Sequence, residues 1–151
     1  MKTFSTTDGL EWSIVVNVLT IKRVMDGTGL KLTDLFSTAD KIQQFFADEV
    51  KICEVLFATI KPQADERGKS IEDFLAVIDG TVIENAMEAL LAEIADFFQE
   101  PRRGLLKQVL AKYREAHNRM QTEGVRAAEK KLQAIDFDRL FNQTPTNFAL
   151  N

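Results

Sequence analysis

Apolar and polar side chains alternate from residue 10 to residue 14. Leu10, Trp12 and Ile14 share one face of an extended strand, with polar residues between them. The preceding Asp8-Gly9 is typical of a tight turn and would supply its two positive-φ positions. These features predict a β-hairpin over the first 14 residues. A two-stranded hairpin is barely stable alone, so we expect it to pack on helices with Trp12 as its anchor.

From about residue 17 the apolar period becomes that of a helix. Asn17 is a suitable N-cap, and Gly27 and Gly29 would end the first helix. Further short helices follow, and Ser70 caps one of them. Val18, Ile21, Val24 and Met25 recur along the first helix at helical spacing.

The last third of the chain predicts two long helices. The first would begin with a capping box at Thr81–Glu84, and the second at Pro101. The short Gln99-Glu100 connection favours an antiparallel pair. The predicted fold is therefore mainly α: a helical domain with a small N-terminal β-hairpin and two long C-terminal antiparallel helices. We assign residues 1–134 to this single domain and residues 135–151 to an irregular tail.

Composition narrows the class of protein. The chain has 151 residues, 45% of them apolar, which is enough for one domain with its own core. One cysteine cannot form an internal disulfide, and the first residues lack a basic-then-apolar leader. No apolar run is long enough to cross a bilayer. We therefore expect a soluble cytoplasmic protein with no membrane partner.

The sequence offers few groups for catalysis. His117 is the only histidine, and it lies between Arg114 and Arg119 in a basic helix, where positive charge opposes its protonation. Cys53 lies on an apolar helix face with no basic neighbour, which indicates an inert core cysteine. The acidic pairs lie at helix ends or on solvated faces. We expect no catalytic residue, no metal site and no cofactor, and so no enzyme.

Charge is unevenly distributed along the chain. Residues 101–132 contain nine Lys and Arg against three Glu, a net +6, whereas the remainder has 10 basic and 20 acidic residues, a net −10. The basic helix could contact phosphates or an acidic protein partner. A solvated or internally paired helix face is the favoured alternative, and nucleic acid is not expected. The candidate contact residues are Arg102, Arg103, Lys107 and Arg114.

A series of short segments between Leu10 and Phe98 carries a family resemblance. They are Trp12, Asn17–Val24, Thr28–Leu30, Leu56–Ala58, Lys61–Ala64, Ser70–Phe74 and Gly80. Their order resembles the tail assembly chaperones of tailed bacteriophages and prophages. The resemblance implies a non-enzymatic protein that coats the tape measure protein and helps to recruit tail tube subunits in the cytoplasm of the bacterial host. It implies the tape measure and tail tube proteins as partners, with self-association left open.

The C-terminal segment supplies further candidates for partner binding, namely Phe137, Leu140 and Phe141. The favoured alternative is that this segment folds back and packs on the helices. Two other functions also remain open. A structural virion protein, such as a connector or completion protein, would stay in the finished particle, and a nucleic-acid-binding regulator would use the basic helix.

Overall fold

A computed structural model describes residues 1–134, except for the side chains of several residues beyond position 112. Two strands lie at the N-terminus: β1 (Lys2–Ser5) and β2 (Glu11–Ile14). The helices are α1 (Val18–Thr28), a 3₁₀ turn (Leu32–Asp34), α2 (Ala39–Phe46), α3 (Glu49–Glu66), α4 (Ile71–Leu75), α5 (Gly80–Phe97) and α6 (Arg102–Ala134). The predicted fold class is confirmed: the protein is mainly helical, with an N-terminal hairpin and two long helices after it.

Residue contacts divide the chain into two compact units, Met1–Leu110 and Ala111–Asn151. The first unit contains the hairpin, α1 to α5 and the first turns of α6. In the second unit the described residues are helical, and there Arg119 pairs with Glu115 at 3.2 Å. Among the described residues, no helix is long and apolar enough to cross a membrane.

The hairpin pairs Phe4 with Trp12 in an antiparallel register. The turn differs from the prediction. Gly9 has a φ of 84°, whereas no residue other than glycine has a positive φ in the described chain, so the expectation for Asp8 is wrong. The Gly9 amide donates to the Thr6 carbonyl at 2.9 Å, and the Thr6 amide donates to the Leu10 carbonyl at 3.0 Å. Such a three-residue loop needs a left-handed residue only at its last position.

Trp12 anchors the hairpin to the helices, as predicted. Its side chain is 1% exposed and meets the ring of Phe74 in α4 edge-on, with ring centroids 5.6 Å apart. The indole Nε1–H donates to the hydroxyl of Thr6 at 3.0 Å, and that hydroxyl donates to Asp8 at 2.6 Å. The indole ring is therefore packed inside the protein, and its N–H group has a hydrogen-bond acceptor there.

Gln63 of α3 covers the free edge of the hairpin. The amide of Ser13 donates to Gln63 Oε1 at 3.0 Å, and Gln63 Nε2 donates to the carbonyl of Ser13 at 2.7 Å. A two-stranded sheet leaves unpaired backbone groups on its outer edges, and one side-chain amide can pair with both groups of a residue. This contact fixes β2 against α3.

Helix α5 is the main core helix, as its broad apolar stripe predicts. Its buried apolar residues are Val82, Ala86, Met87, Ala89, Leu90, Leu91, Ile94 and Ala95. The predicted capping box at Thr81–Glu84 is wrong, because Asp79 is the N-cap and accepts from the Val82 amide at 2.9 Å. The helix thus begins earlier, since a carboxylate placed just before Gly80 meets the first free amides.

Helix α1 packs on α3 through small side chains. Asn17 caps it, as predicted, and accepts from the Thr20 amide at 2.9 Å. The helix ends at Gly29, which has a φ of 76°, but it continues through Gly27, so the prediction that Gly27 ends it is wrong. A Cβ atom added at Gly27 would lie 3.9 Å from Cβ of Ala58 in α3, an ordinary van der Waals distance.

The two glycines of α1 should respond in opposite ways to alanine. We expect Gly27→Ala to raise the free energy of unfolding by about 0.5–1 kcal/mol, because alanine fits the space and lowers the entropy of the unfolded chain. Gly29→Ala should lower it by about 1–2 kcal/mol, because alanine is strained at a left-handed φ. Urea denaturation checks both values, and stabilisation by Gly29→Ala would contradict the assigned end of the helix.

The Thr6 hydroxyl should stabilise the folded protein because it accepts the hydrogen bond of the buried Trp12 indole. We expect Thr6→Val to lower the free energy of unfolding by about 1–3 kcal/mol, the usual penalty for an unpaired buried donor. Thr3→Val makes the same change on the exposed face of β1 and should stay within about 0.5 kcal/mol of wild type. Equal effects of the two substitutions, measured by urea denaturation, would show that this hydrogen bond has no special role.

Candidate protein-binding surface

The solvent-exposed face of α1, together with Val15 just before it, carries large apolar side chains around the charged pair Lys22 and Asp26. Val18 and Leu19 are 71% and 64% exposed, and Val15 and Met25 are 44% and 46% exposed. We call these four residues the α1 apolar surface. Isolated exposed apolar residues are common, but four within 11 positions form a local cluster of the kind found at interaction sites.

The apolar residues that recur along α1 divide between its two faces. Val24 is buried and Ile21 is partly buried, but Val18 and Met25 face solvent. The second buried residue of α1 is Thr20, one helical turn before Val24. A helix with more apolar positions than one face can hold must expose some of them.

Hydrogen bonding explains why a threonine replaces an aliphatic residue on the buried face. The Thr20 hydroxyl donates to the carbonyl of Val15 at 2.8 Å, so the polar group is satisfied where water is excluded. Thr20, Val24 and Gly27 are spaced i, i+4 and i+7, the spacing of one helix face. In the sequence, the face of α1 that packs on α3 is therefore marked by Val24 with a threonine one turn before it and a glycine one turn after it.

Contacts to α3 hold this surface in place. Arg23 Nη1 donates to the carbonyls of Ala58 and Thr59 at 3.3 Å and 3.1 Å. Lys22 pairs with Asp26 at 2.6 Å on the exposed side of α1, and that contact raises the pKa of Lys22. The two charges beside the aliphatic side chains therefore neutralise each other. The arrangement suits an apolar partner rather than a charged one.

The structure places three predicted basic residues together where α5 meets α6. Arg103 donates to the carbonyls of Phe98 and Asp96 at 2.9 Å and 3.1 Å. Lys107 pairs with the Asp96 carboxylate at 2.9 Å, and this hydrogen bond is the main cause of the lowered pKa of Asp96. The guanidinium of Arg102 lies 4.2 Å from the centre of the Phe98 ring. These three cations contact the protein itself, as the internally paired alternative predicts.

The other predicted candidates lie beyond the first unit, which ends at Leu110. Arg114 lies in the second unit and is exposed. Phe137, Leu140 and Phe141 lie outside the described residues, as does the side chain of His117.

The remaining chemistry of the described residues is limited. Cys53 is buried, as predicted, and burial, followed by the charge of Glu49, raises the pKa of its thiol. The thiolate, which is the reactive form, is therefore disfavoured. Among the residues that the structure describes, no three His, Cys, Asp or Glu side chains form a group that could hold a metal ion.

Stability measurements should separate the two faces of α1. We expect Leu19→Ser to change the free energy of unfolding by less than about 0.5 kcal/mol, because its side chain faces solvent. Val24→Ala should lower it by about 1–3 kcal/mol, because it removes buried methyl groups and leaves a cavity. Urea denaturation of both variants is the measurement, and a larger loss for Leu19→Ser would reverse the assignment of the faces.

Comparisons with known proteins assign neither a family nor a function to this chain. Family models, curated proteins and solved structures give no match to the chain.

Proposed function

We propose that this chain is a non-enzymatic protein-binding factor in phage tail assembly, where it chaperones a tape measure or tail tube protein. The observation that carries this proposal is the α1 apolar surface, formed by Val15, Val18, Leu19 and Met25. Aliphatic side chains of this kind have no chemistry to offer a substrate. Their contribution to function is the apolar area that they remove from water on binding.

The proposed client is a helical protein segment with an apolar stripe. Amphipathic helices are recognised by apolar surfaces that receive side chains spaced three and four residues apart. A long helical tape measure protein would offer such stripes repeatedly. The segment Asn17–Val24, which carries part of the family resemblance, caps and begins α1. The resemblance and the exposed surface thus involve the same helix.

The size of the surface supports a reversible contact. A standard stable interface buries about 800 Å² on each partner and involves about 20–30 residues. The α1 apolar surface supplies four large side chains, which is a small part of that number. Several copies could occupy successive stripes of one long client, each through a small interface. Such binding suits a chaperone that must leave when the tail polymerises.

Co-expression with the tape measure and tail tube proteins of the same phage or prophage, followed by pull-down, tests the proposal. We expect wild type to retain one of them. The double variant Val18→Ser, Leu19→Ser should retain about tenfold less, because 1.4 kcal/mol of lost apolar contact weakens binding tenfold. If wild type retains neither protein, the proposed function is wrong.

A matched control distinguishes the α1 apolar surface from general loss of apolar area. Leu105 and Val109 of α6 are also exposed, by 59% and 48%, compared with 64% and 71% for Leu19 and Val18. The double variant Leu105→Ser, Val109→Ser should therefore retain the client as wild type does. Full retention by the α1 variant, or equal loss in both variants, would contradict the role given to α1.

A further inference from the structure

A pocket of about 450 Å³ lies where α1, the 3₁₀ turn, α2 and α3 meet. Its apolar lining comes from Leu30, Leu35 and Phe45. Leu35 and Phe45 are each 3% exposed and belong to the core, so they give the pocket a fixed apolar wall. The volume falls in the range of about 300–1,000 Å³ that is typical of sites for small ligands.

Three lysines, from three different segments, line the same pocket: Lys31, Lys41 and Lys51. The ammonium group of Lys51 donates to the carbonyl of Thr28, which ties α3 to the end of α1. Lys31 and Lys41 are exposed, and in the described part of the chain neither ammonium group makes a hydrogen bond or an ion pair. Two cationic groups beside the apolar wall therefore lack a partner within the described protein.

Two carboxylates also line the pocket, but they do not neutralise the charge of all three lysines. Asp48 caps α3, where its Oδ1 accepts from the Lys51 amide at 3.0 Å. Asp34 lies in the 3₁₀ turn and is exposed. Three cations against two anions leave one positive charge in excess. An anion placed near Lys31 and Lys41 would complete the charge balance.

We propose that this pocket binds an organic anion, a carboxylate or phosphate joined to an apolar group. Lys31 and Lys41 hold the anionic group, while the apolar group contacts Leu35 and Phe45. Exposed ion pairs contribute little by themselves and are screened by salt, so most of the affinity comes from the apolar group and most of the selectivity from the lysines. The site is separate from the α1 apolar surface and does not depend on the proposed function.

Titrations followed by amide NMR test this site with three small probes on the full chain. Phenylacetate and phenyl phosphate carry the anionic group, and benzyl alcohol is the neutral analogue. We expect saturable shifts at the amides of Leu30, Leu35 and Phe45 with at least one anion, and much weaker binding of the alcohol. The tighter anion identifies carboxylate or phosphate as the preferred group.

Substitutions then show whether the lysines provide the selectivity. We expect Lys31→Gln, Lys41→Gln to weaken binding of the anion by about tenfold, the equivalent of 1.4 kcal/mol. Lys22→Gln, Lys61→Gln removes the same charge at lysines outside the pocket and should leave the affinity unchanged. Circular dichroism establishes that both variants are folded, and Lys31→Gln and Lys41→Gln are measured singly if the double variant is not.

Several results would overturn the proposal. These are an absence of shifts at the pocket with both anions, equal affinity for benzyl alcohol, and equal losses in the two pairs of lysine variants. The double variant Val18→Ser, Leu19→Ser should bind the anion as wild type does. That result separates failure of the pocket from failure of the proposed protein-binding function.

Discussion

The packing of the N-terminal hairpin on the helices is the contact on which much of the first unit depends. Two strands cannot hold themselves together, so β1 and β2 require the apolar surface of the helices. Trp12 meets Phe74 of α4, and Gln63 of α3 closes the edge of β2. Arg67, which follows α3, lies 4.4 Å above the Trp12 ring. The hairpin thus joins segments that are far apart in the sequence.

Packing against α3 also determines what α1 can offer to a partner. Thr20 and Val24 face the core, and Gly27 lies near Ala58 of α3. The larger aliphatic side chains are left on the other side of the helix, where Lys22 and Asp26 neutralise each other. An apolar surface supported by a rigid helix loses little conformational freedom on binding, which favours recognition of another protein.

Local signals predicted much of the fold. Asn17 and Ser70 cap helices as their side chains predict, and the alternation around Trp12 gave the hairpin. Two errors are local: Gly9 alone supplies the left-handed residue of the turn, and Asp79 rather than Thr81 caps α5. Other features depend on contacts that form only in the folded structure. Burial of Thr20 requires the carbonyl of Val15, and the pocket requires four elements to meet. Neither the apolar period nor the charge pattern contains that information.

We place partner binding on α1, whereas the basic residues at the start of α6 contact the end of α5. Hydrogen–deuterium exchange of this protein, alone and with the proposed tape measure or tail tube partner, tests this placement most directly. We predict that the partner slows exchange most strongly in peptides covering residues 15–25. Unchanged exchange in those peptides, with protection confined to other segments or absent throughout the chain, would contradict it.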